Sequence, residues 1–352
     1  MSKKIQVTAI AHAKVNLSLL VQGKRADGYH DLRSVFARIR LADILILDLW
    51  VPQSPCLDCG ESFALSLNFP PEYQLGTQKW APFGAEKFLK ELPRGALQGV
   101  LHFGSDTFCY CVPIPTFKGS PDPVFLSMKN LVLKALRVFR ERTGEPSSPV
   151  EIKLIKNIPF SSGLGGGSSD AAELLRNLKE IFSPEMPKRV LLELAKEVGA
   201  DVPFFLFGGG INLVQGLGDI IEPYPFPPSG RDLLLLTNSA NPLSTAQVFQ
   251  ELILTKSDSE NKLTFEMPPL GQNDLFEPAV KLWPPLKQAL TSLKQVVPGP
   301  CGLSGSGPSL WALFNNPDQA RKAQAKLTFL LDSGWNLLVT QMIDYIEQDF
   351  GG

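Results

Sequence analysis

The sequence predicts a two-domain α+β protein, and three observations predict it. The chain has 352 residues, enough for two ordinary domains with sizeable cores. Stretches with strand alternation and stretches with helical spacing follow one another, with no repeat at a fixed period. A proline-rich break, "EPYPFPPSGRD", separates two such series and puts a division near residue 228, giving domains of 1–228 and 229–352.

The first element is a strand. Over residues 6–22, Lys14, Asn16 and Ser18 share one face, while Val15, Leu17 and Leu19 share the other. "RADGYHDL" is a turn with Asp27-Gly28 at its tight point, and "VFARIRLADILILDLW" is one or two further strands. Residues 51–125 differ in kind: rich in Pro, Gly, Cys and aromatics, without a sustained period, they read as an insertion. Helical spacing resumes at "LSMKNLVLKALRVFRERTG" and stops at Gly144. "PVEIKLIKNIP" is a strand that runs through a glycine loop into a helix from about Ser169 to Phe182. "PKRVLLELAKEVGA" is a helix between Pro187 and Gly199, and "INLVQGLGDIIEP" holds two short strands. Beyond the break come "LLLLTNS", several helical segments, "GLSGSGPSLWALF", a helix from about Asp318 to Leu331 and the strand-like "WNLLVTQMI".

Composition narrows the function. A formal net charge of -1 gives no basic field, so nucleic acid is not the expected partner. Lys3 and Lys4 precede no apolar signal core, and no apolar run approaches the ~18 residues that span a bilayer. A cytoplasmic protein acting on a small molecule, as a monomer or homodimer, is the expectation. The five cysteines are odd in number, which argues against a disulfide framework. Cys56, Cys59, Cys109 and Cys111, with His102 nearby, have some look of a zinc site. The C-x-C spacing of the second pair is poor for one, so idle or buried thiols without stoichiometric zinc are expected.

The most informative stretch is "NIPFSSGLGGGSSDAAELLRNL". Glycine allows positive φ and a close approach of backbone N–H groups, and a helix start adds unpaired donors and partial positive charge. Strand, glycine loop and helix together make an anion site, most often for phosphate. The P-loop pattern fails because no lysine follows the glycines, and the dinucleotide fingerprint fails at Ser168, which weakens a dehydrogenase reading.

"PFSSGLGGGSSDAA" resembles the phosphate-binding motif of the GHMP kinases. "AKVNLSLLVQGKRADGYHDL", "GADVPFFLFGG" and "GLSGSGPSLWALF" resemble, in order and spacing, the 4-diphosphocytidyl-2-C-methyl-D-erythritol kinase branch of that family. The resemblance covers residues 6–50 and about 125–350, and leaves the insertion unaccounted for. It implies a ribosomal-protein-S5-like α/β N-terminal domain and a ferredoxin-like α+β C-terminal domain. It also implies ATP- and Mg²⁺-dependent phosphorylation of the acceptor's 2-hydroxyl, in the cleft between the domains. Other GHMP kinases, of homoserine or mevalonate type, and a silent nucleotide sensor are the alternatives.

The resemblance also implies roles. Pro159, Phe160, Ser161, Ser162, Gly163, Leu164, Gly165, Gly166, Gly167, Ser168 and Ser169 form the ATP phosphate site, with Ser168 or Ser169 a ligand for the nucleotide's Mg²⁺. Asn130 and Lys156 lie near the adenine. Asp201, otherwise a helix N-cap between Gly199 and Pro203, takes the hydroxyl proton, and Lys14, otherwise on a solvated strand face, stands beside it. Asn16 orients the substrate, and Tyr29 and His30 bind the cytosine. Gly302 to Gly307 form a second glycine turn packed against the first loop.

Overall fold

A computed structural model describes residues 2–25, 30–52, 97–103, 106–112, 130–207, 209–225, 231–252 and 268–343. Strand β1 (Ser2–Lys24) and strand β2 (His30–Pro52) form one long antiparallel hairpin, from the Ser2–Pro52 pair to the Lys24–His30 pair. The second run is a single strand because β1 supports it along its whole length. Register shifts at His12/Lys14, Asn16/Ser18 and Val21/Gly23 insert extra residues that bend and twist the ribbon. One of them corrects the simple alternation. The shift after Asn16 turns Ser18 away from Lys14 and Asn16, and its hydroxyl accepts the Val35 N–H at 3.2 Å.

The other edge of β2 is divided. Leu32–Ala37 pair with β6 (Ile211–Gly216), and Ile44–Asp48 pair with β5 (Glu151–Ile155). Asp43 sits just beyond the second run, where the edge serves a loop instead of a strand. Strands β3 (Leu97–Phe103) and β4 (Asp106–Val112) extend the sheet past β5, and β7 (Ile220–Pro223) extends it past β6. The segment read as an insertion therefore contributes two strands to the main sheet, with β4 parallel to β5.

Helices α1 (Leu131–Thr143), α2 (Gly166–Phe182) and α3 (Lys188–Val198) join this sheet in one core. There Leu45, Leu47, Ile152 and Leu154 meet Leu136, Phe139, Leu174, Leu178 and Leu194. The side chain of Asn130 caps α1 by accepting the Val132 N–H at 2.9 Å, and Gly144, at φ 76°, ends it. Helix α2 starts at Gly166, three residues earlier than its sequence pattern suggests. Gly165 takes the cap position at φ 70°, so the last two loop glycines belong to the first turn. The six-residue α4 (Val202–Phe207) follows α3.

A second antiparallel sheet has the order β11 (Asn336–Gln341), β8 (Asp232–Thr237), β10 (Leu310–Phe314), β9 (Cys301–Leu303). It is packed by α6 (Phe276–Leu282), α7 (Pro285–Val296) and α8 (Pro317–Lys326), while α5 (Thr245–Gln250) lies at its border with the first sheet. The helix expected to reach Leu331 stops at Lys326 and continues as a 3₁₀ turn, Thr328–Ser333, closed by Gly334 at φ 79°. Val15, Leu17, Ile39 and Leu164 share a further core with Leu233, Leu235, Trp311 and Leu313, which joins the two sheets. Among the described residues no helix is long and apolar enough to cross a membrane.

Candidate active site

A cavity of about 1030 Å³ opens between the glycine loop, the β1–β2 hairpin and α5. The loop is fixed at its start by Asp43, whose Oδ1 accepts the N–H groups of Asn157 (2.6 Å) and Ile158 (2.8 Å). Ser162 Oγ donates to the Pro159 carbonyl at 2.7 Å, and Lys14 N–H donates to the Leu164 carbonyl at 2.9 Å. Gly163 and Gly165 have φ of 76° and 70°. A Cβ on Gly163 would fall on the Ser304 carbonyl, and one on Gly165 would press on Lys14 and Phe205 at 3.0–3.1 Å. Neither position admits a side chain, so the bare backbone stands open toward the cavity.

Pro159 to Gly163 and Gly165 to Ser168 line the cavity, together with Lys14, Asn16, His30, Asn130, Lys156 and Asp201. Leu164 and Ser169 do not. Leu164 is core, and Ser169 is 1% exposed, with its hydroxyl buried. Of the two serines named for Mg²⁺, only Ser168 faces the cavity. Tyr29, Cys56 and Cys59 lie outside the described residues.

Lys14 is 3% exposed and its ammonium is committed. Nζ donates to Asn16 Oδ1 at 2.6 Å, lies 3.5 Å from Asp201 Oδ2 and sits 4.6 Å above the Phe36 ring. Asn16 is held in turn: its Nδ2 donates to Ser34 Oγ at 2.9 Å, and its backbone N–H donates to Ser304 Oγ at 3.1 Å. Ser304 Oγ itself donates to the Gly163 carbonyl at 2.9 Å, tying the second glycine turn to the first. Asp201 directly precedes α4. Among the described residues its one polar partner is Lys14, and its carboxylate is open to the cavity.

Two buried guanidinium groups fix the element that carries Asp201. Arg38 Nη2 donates to the carbonyls of Phe204 (3.0 Å) and Phe205 (2.6 Å), and Arg176 Nη2 donates to Phe205 O at 2.7 Å. Burial, then the neighbouring Arg176, pulls the Arg38 pKa down to about 10, which still leaves it charged at neutral pH. Gly218, at φ 95°, rests its Cα side on the Ala200 carbonyl, supporting the same turn from the β6–β7 connection.

Behind the loop, Lys156 is shared by two carboxylates. Its ammonium donates to Asp43 Oδ2 and to Asp170 Oδ2, the latter at 2.8 Å. Burial works against the Lys156 charge, but Asp170 and Asp43 outweigh it and hold the pKa above its ordinary value. Asp170 is pushed well above the carboxylate range, by burial first, and its Oδ1 has no hydrogen-bond partner.

The far end of the cavity is apolar and aromatic. His30 stacks on Phe249 of α5 with ring centroids 5.0 Å apart and planes at 27°, above Leu19, Leu32 and Leu275. Burial, then Lys24 across the hairpin, lowers the His30 pKa. Phe249 and Thr245 carry no motif in the sequence, and Lys24, inside the stretch that ends in "DGYHDL", is given no role by it. Asp170 does leave a trace, as an acid set into the apolar start of α2 ("SSDAAELL").

The two ends are far apart. His30 pairs with Lys24 and Phe36 pairs with Asn16, so six residues of β2 separate the His30–Phe249 stack from the Lys14–Asp201 pair. At about 3.3 Å per residue that is roughly 20 Å. An ammonium–carboxylate pair under a glycine phosphate loop suits phosphoryl transfer to a hydroxyl, which needs positioning and charge neutralisation and no covalent group from the protein.

Comparison with known proteins agrees with this class. The profile described as "GHMP kinases N terminal domain" matches residues 130–209, and "GHMP kinases C terminal" matches residues 262–332. A 4-diphosphocytidyl-2-C-methyl-D-erythritol kinase of Mesorhizobium japonicum is 30% identical over 334 residues, covering 90% of this chain and 90% of its own. One of Paraburkholderia phytofirmans is 28% identical, covering 95% and 93%. The crystal structure of a 4-(cytidine 5'-diphospho)-2C-methyl-D-erythritol kinase superposes with a TM-score of 0.60 at 26% identity, over 96% of this chain and 99% of that one. A homoserine kinase from Cytophaga hutchinsonii shares the fold, with a TM-score of 0.58 at 16% identity, over 97% and 95%. The chain belongs to the GHMP kinase family, within its 4-diphosphocytidyl-2-C-methyl-D-erythritol kinases.

Proposed function

We propose that the protein transfers the γ-phosphoryl group of ATP to the 2-hydroxyl of 4-diphosphocytidyl-2-C-methyl-D-erythritol, with the domains divided near residue 228. The observation that carries this reading is the distance between the two ends of the cavity. A pyrimidine on His30 and Phe249 and a hydroxyl at Lys14 and Asp201 must be joined by a spacer approaching roughly 20 Å. Ribose, diphosphate and a branched four-carbon alcohol in line are such a spacer. Homoserine and mevalonate are too short to use both ends.

In this reading the backbone of Gly163 to Ser168 cradles the ATP phosphates, and Asn130 and Lys156 border the adenine. Asp201 accepts the proton of the attacking hydroxyl. Lys14 pairs with that carboxylate and stabilises the transferring group, and Asn16 orients the acceptor. Tyr29 joins His30 at the cytosine. The residues fit a magnesium ion carried by the nucleotide: the Ser168 hydroxyl and the Asp201 carboxylate both face the cavity. Among the described residues no cluster of three His, Cys, Asp or Glu would hold an ion alone. Magnesium would neutralise phosphate charge during transfer.

The test is ATP consumption by the purified protein against the cytidyl alcohol, homoserine and mevalonate, repeated with Asp201→Asn. The cytidyl alcohol is the expected acceptor. The variant should lose at least ~10²-fold in kcat while ATP still binds, as loss of a general base does. A better rate with either short acceptor sinks the substrate assignment, and near-normal kcat in the variant removes Asp201 from proton transfer.

A further inference from the structure

The cavity holds three lysines, and they differ in what they face. Lys14 is taken by Asn16 and Asp201, and Lys156 by Asp43 and Asp170. Lys24 lines the same cavity, is exposed, and has no carboxylate within ion-pair distance among the described residues. Its neighbour Arg25 does have one, Asp31 at 3.3 Å. The hairpin register sets Lys24 directly across from His30, so its ammonium belongs to the same end of the cavity as the aromatic stack.

Two consequences follow. An exposed ammonium that lines a cavity, with no carboxylate partner among the described residues, can take an anion there. It also stands at the His30 end of the cavity, from which the diphosphate of a nucleotide-tailed acceptor would extend. A flexible lysine stem reaches one or two residues back along the strand, toward the apolar floor at Leu19 and Leu32. In the reading above, the glycine loop holds the phosphates of ATP at the Lys14 end of the cavity and is not free to serve that anion.

We propose that Lys24 binds the diphosphate of the acceptor, and is the residue by which this kinase prefers a nucleoside diphosphate tail to a bare nucleoside. The proposal rests on the reading of the acceptor given above. It makes Lys24 a binding and specificity residue, remote from the transferred phosphoryl group.

The experiment measures CDP and cytidine as competitors of the acceptor in the full-length kinase, for the natural protein, Lys24→Met and Lys24→Arg. In the natural protein CDP should compete at least ~10-fold better than cytidine, and its advantage should shrink as salt is added. Lys24→Met should weaken CDP by ~10-fold, leave cytidine within about two-fold, and leave kcat and the KM for ATP unchanged. Lys24→Arg should restore most of the CDP affinity, because charge is what the site supplies. CDP affinity unchanged in Lys24→Met overturns the proposal, and so does an equal loss for CDP and cytidine, which would put Lys24 at the base. If neither compound competes with the acceptor in the natural protein, the nucleotide-tailed acceptor itself is wrong.

Discussion

Asp43 and Asp170 carry the same side chain and share one ammonium, yet their surroundings give them different work. Asp43 accepts two backbone N–H groups as well as Lys156, so it holds the start of the glycine loop and the ammonium together. Asp170 is 1% exposed, with one oxygen on Lys156 at 2.8 Å and the other on nothing, and burial drives its pKa well up. Of the two carboxyls it has the poorer set of partners, and an amide is its near-isostere. Asp170→Asn should cost no more than about 1 kcal/mol and leave the KM for ATP within about two-fold. Asp43→Asn should cost about 3 kcal/mol or more, since it uncouples a buried ammonium and loosens the start of the glycine loop. Denaturant unfolding of both variants reads this directly, and equal losses would show that the two carboxyls hold the site equally. The sequence displays Asp170 beside the loop but hides Asp43, which lies 114 positions before Asn157 and meets it only through the fold. Lys14 and Asp201 were legible for a different reason: short, specific motifs surround both. Phe249 was not, because a phenylalanine in a six-residue helix looks the same whether it fills a core or receives a base.

Among elements, the β3–β4 hairpin departs most from what the sequence suggests. Residues 51–125 lack any period, so no strand was foreseeable there, and strand pairing depends on partners that local sequence does not name. Yet β4 pairs with β5 from Thr107–Glu151 to Cys111–Ile155, covering the edge of the strand that leads into Lys156 and the glycine loop. That makes the segment two things of unequal importance. A short linker from Pro52 to Leu97 that keeps both strands should leave a folded, active kinase. A linker that removes the hairpin as well uncovers the β5 edge and loses its ladder, at a cost on the order of a few kcal/mol and with a tendency to aggregate. Thermal midpoints and size-exclusion profiles of the two variants decide it. Equal behaviour of both would mean that β5 needs no cover. The α2 start carries a related lesson: the glycines that mark the loop already form the helix's first turn, because Gly165 alone supplies the left-handed cap.

For the whole molecule, the two sheets meet through apolar packing and through the interlocked glycine turns. The Leu233, Leu235, Trp311 and Leu313 face against Val15, Leu17 and Leu164 supplies adhesion without direction. Direction comes from Ser304, which links the Gly163 carbonyl to the Asn16 backbone and so joins phosphate loop, catalytic strand and second domain in one relay. Ser309 N–H adds a bond to the Ser162 carbonyl at 3.3 Å. The Gly163 backbone lies against Ser304 so closely that a methyl group has no room, and its φ of 76° is one that alanine resists. Gly163→Ala should therefore lose more than about 1 kcal/mol from backbone strain alone. It should lose more activity than the folded fraction explains, because relieving the clash parts the domains and moves Asn16, hence Lys14, from the phosphate loop. Ser304→Ala removes the relay without adding bulk, so its thermal midpoint should fall less while its kcat falls too. Measured kcat beside the folded fraction separates the two contributions. A Gly163→Ala enzyme whose activity tracks its folded fraction, molecule for molecule, would show that the turns only hold the domains together and do not set the distance between Lys14 and the phosphates.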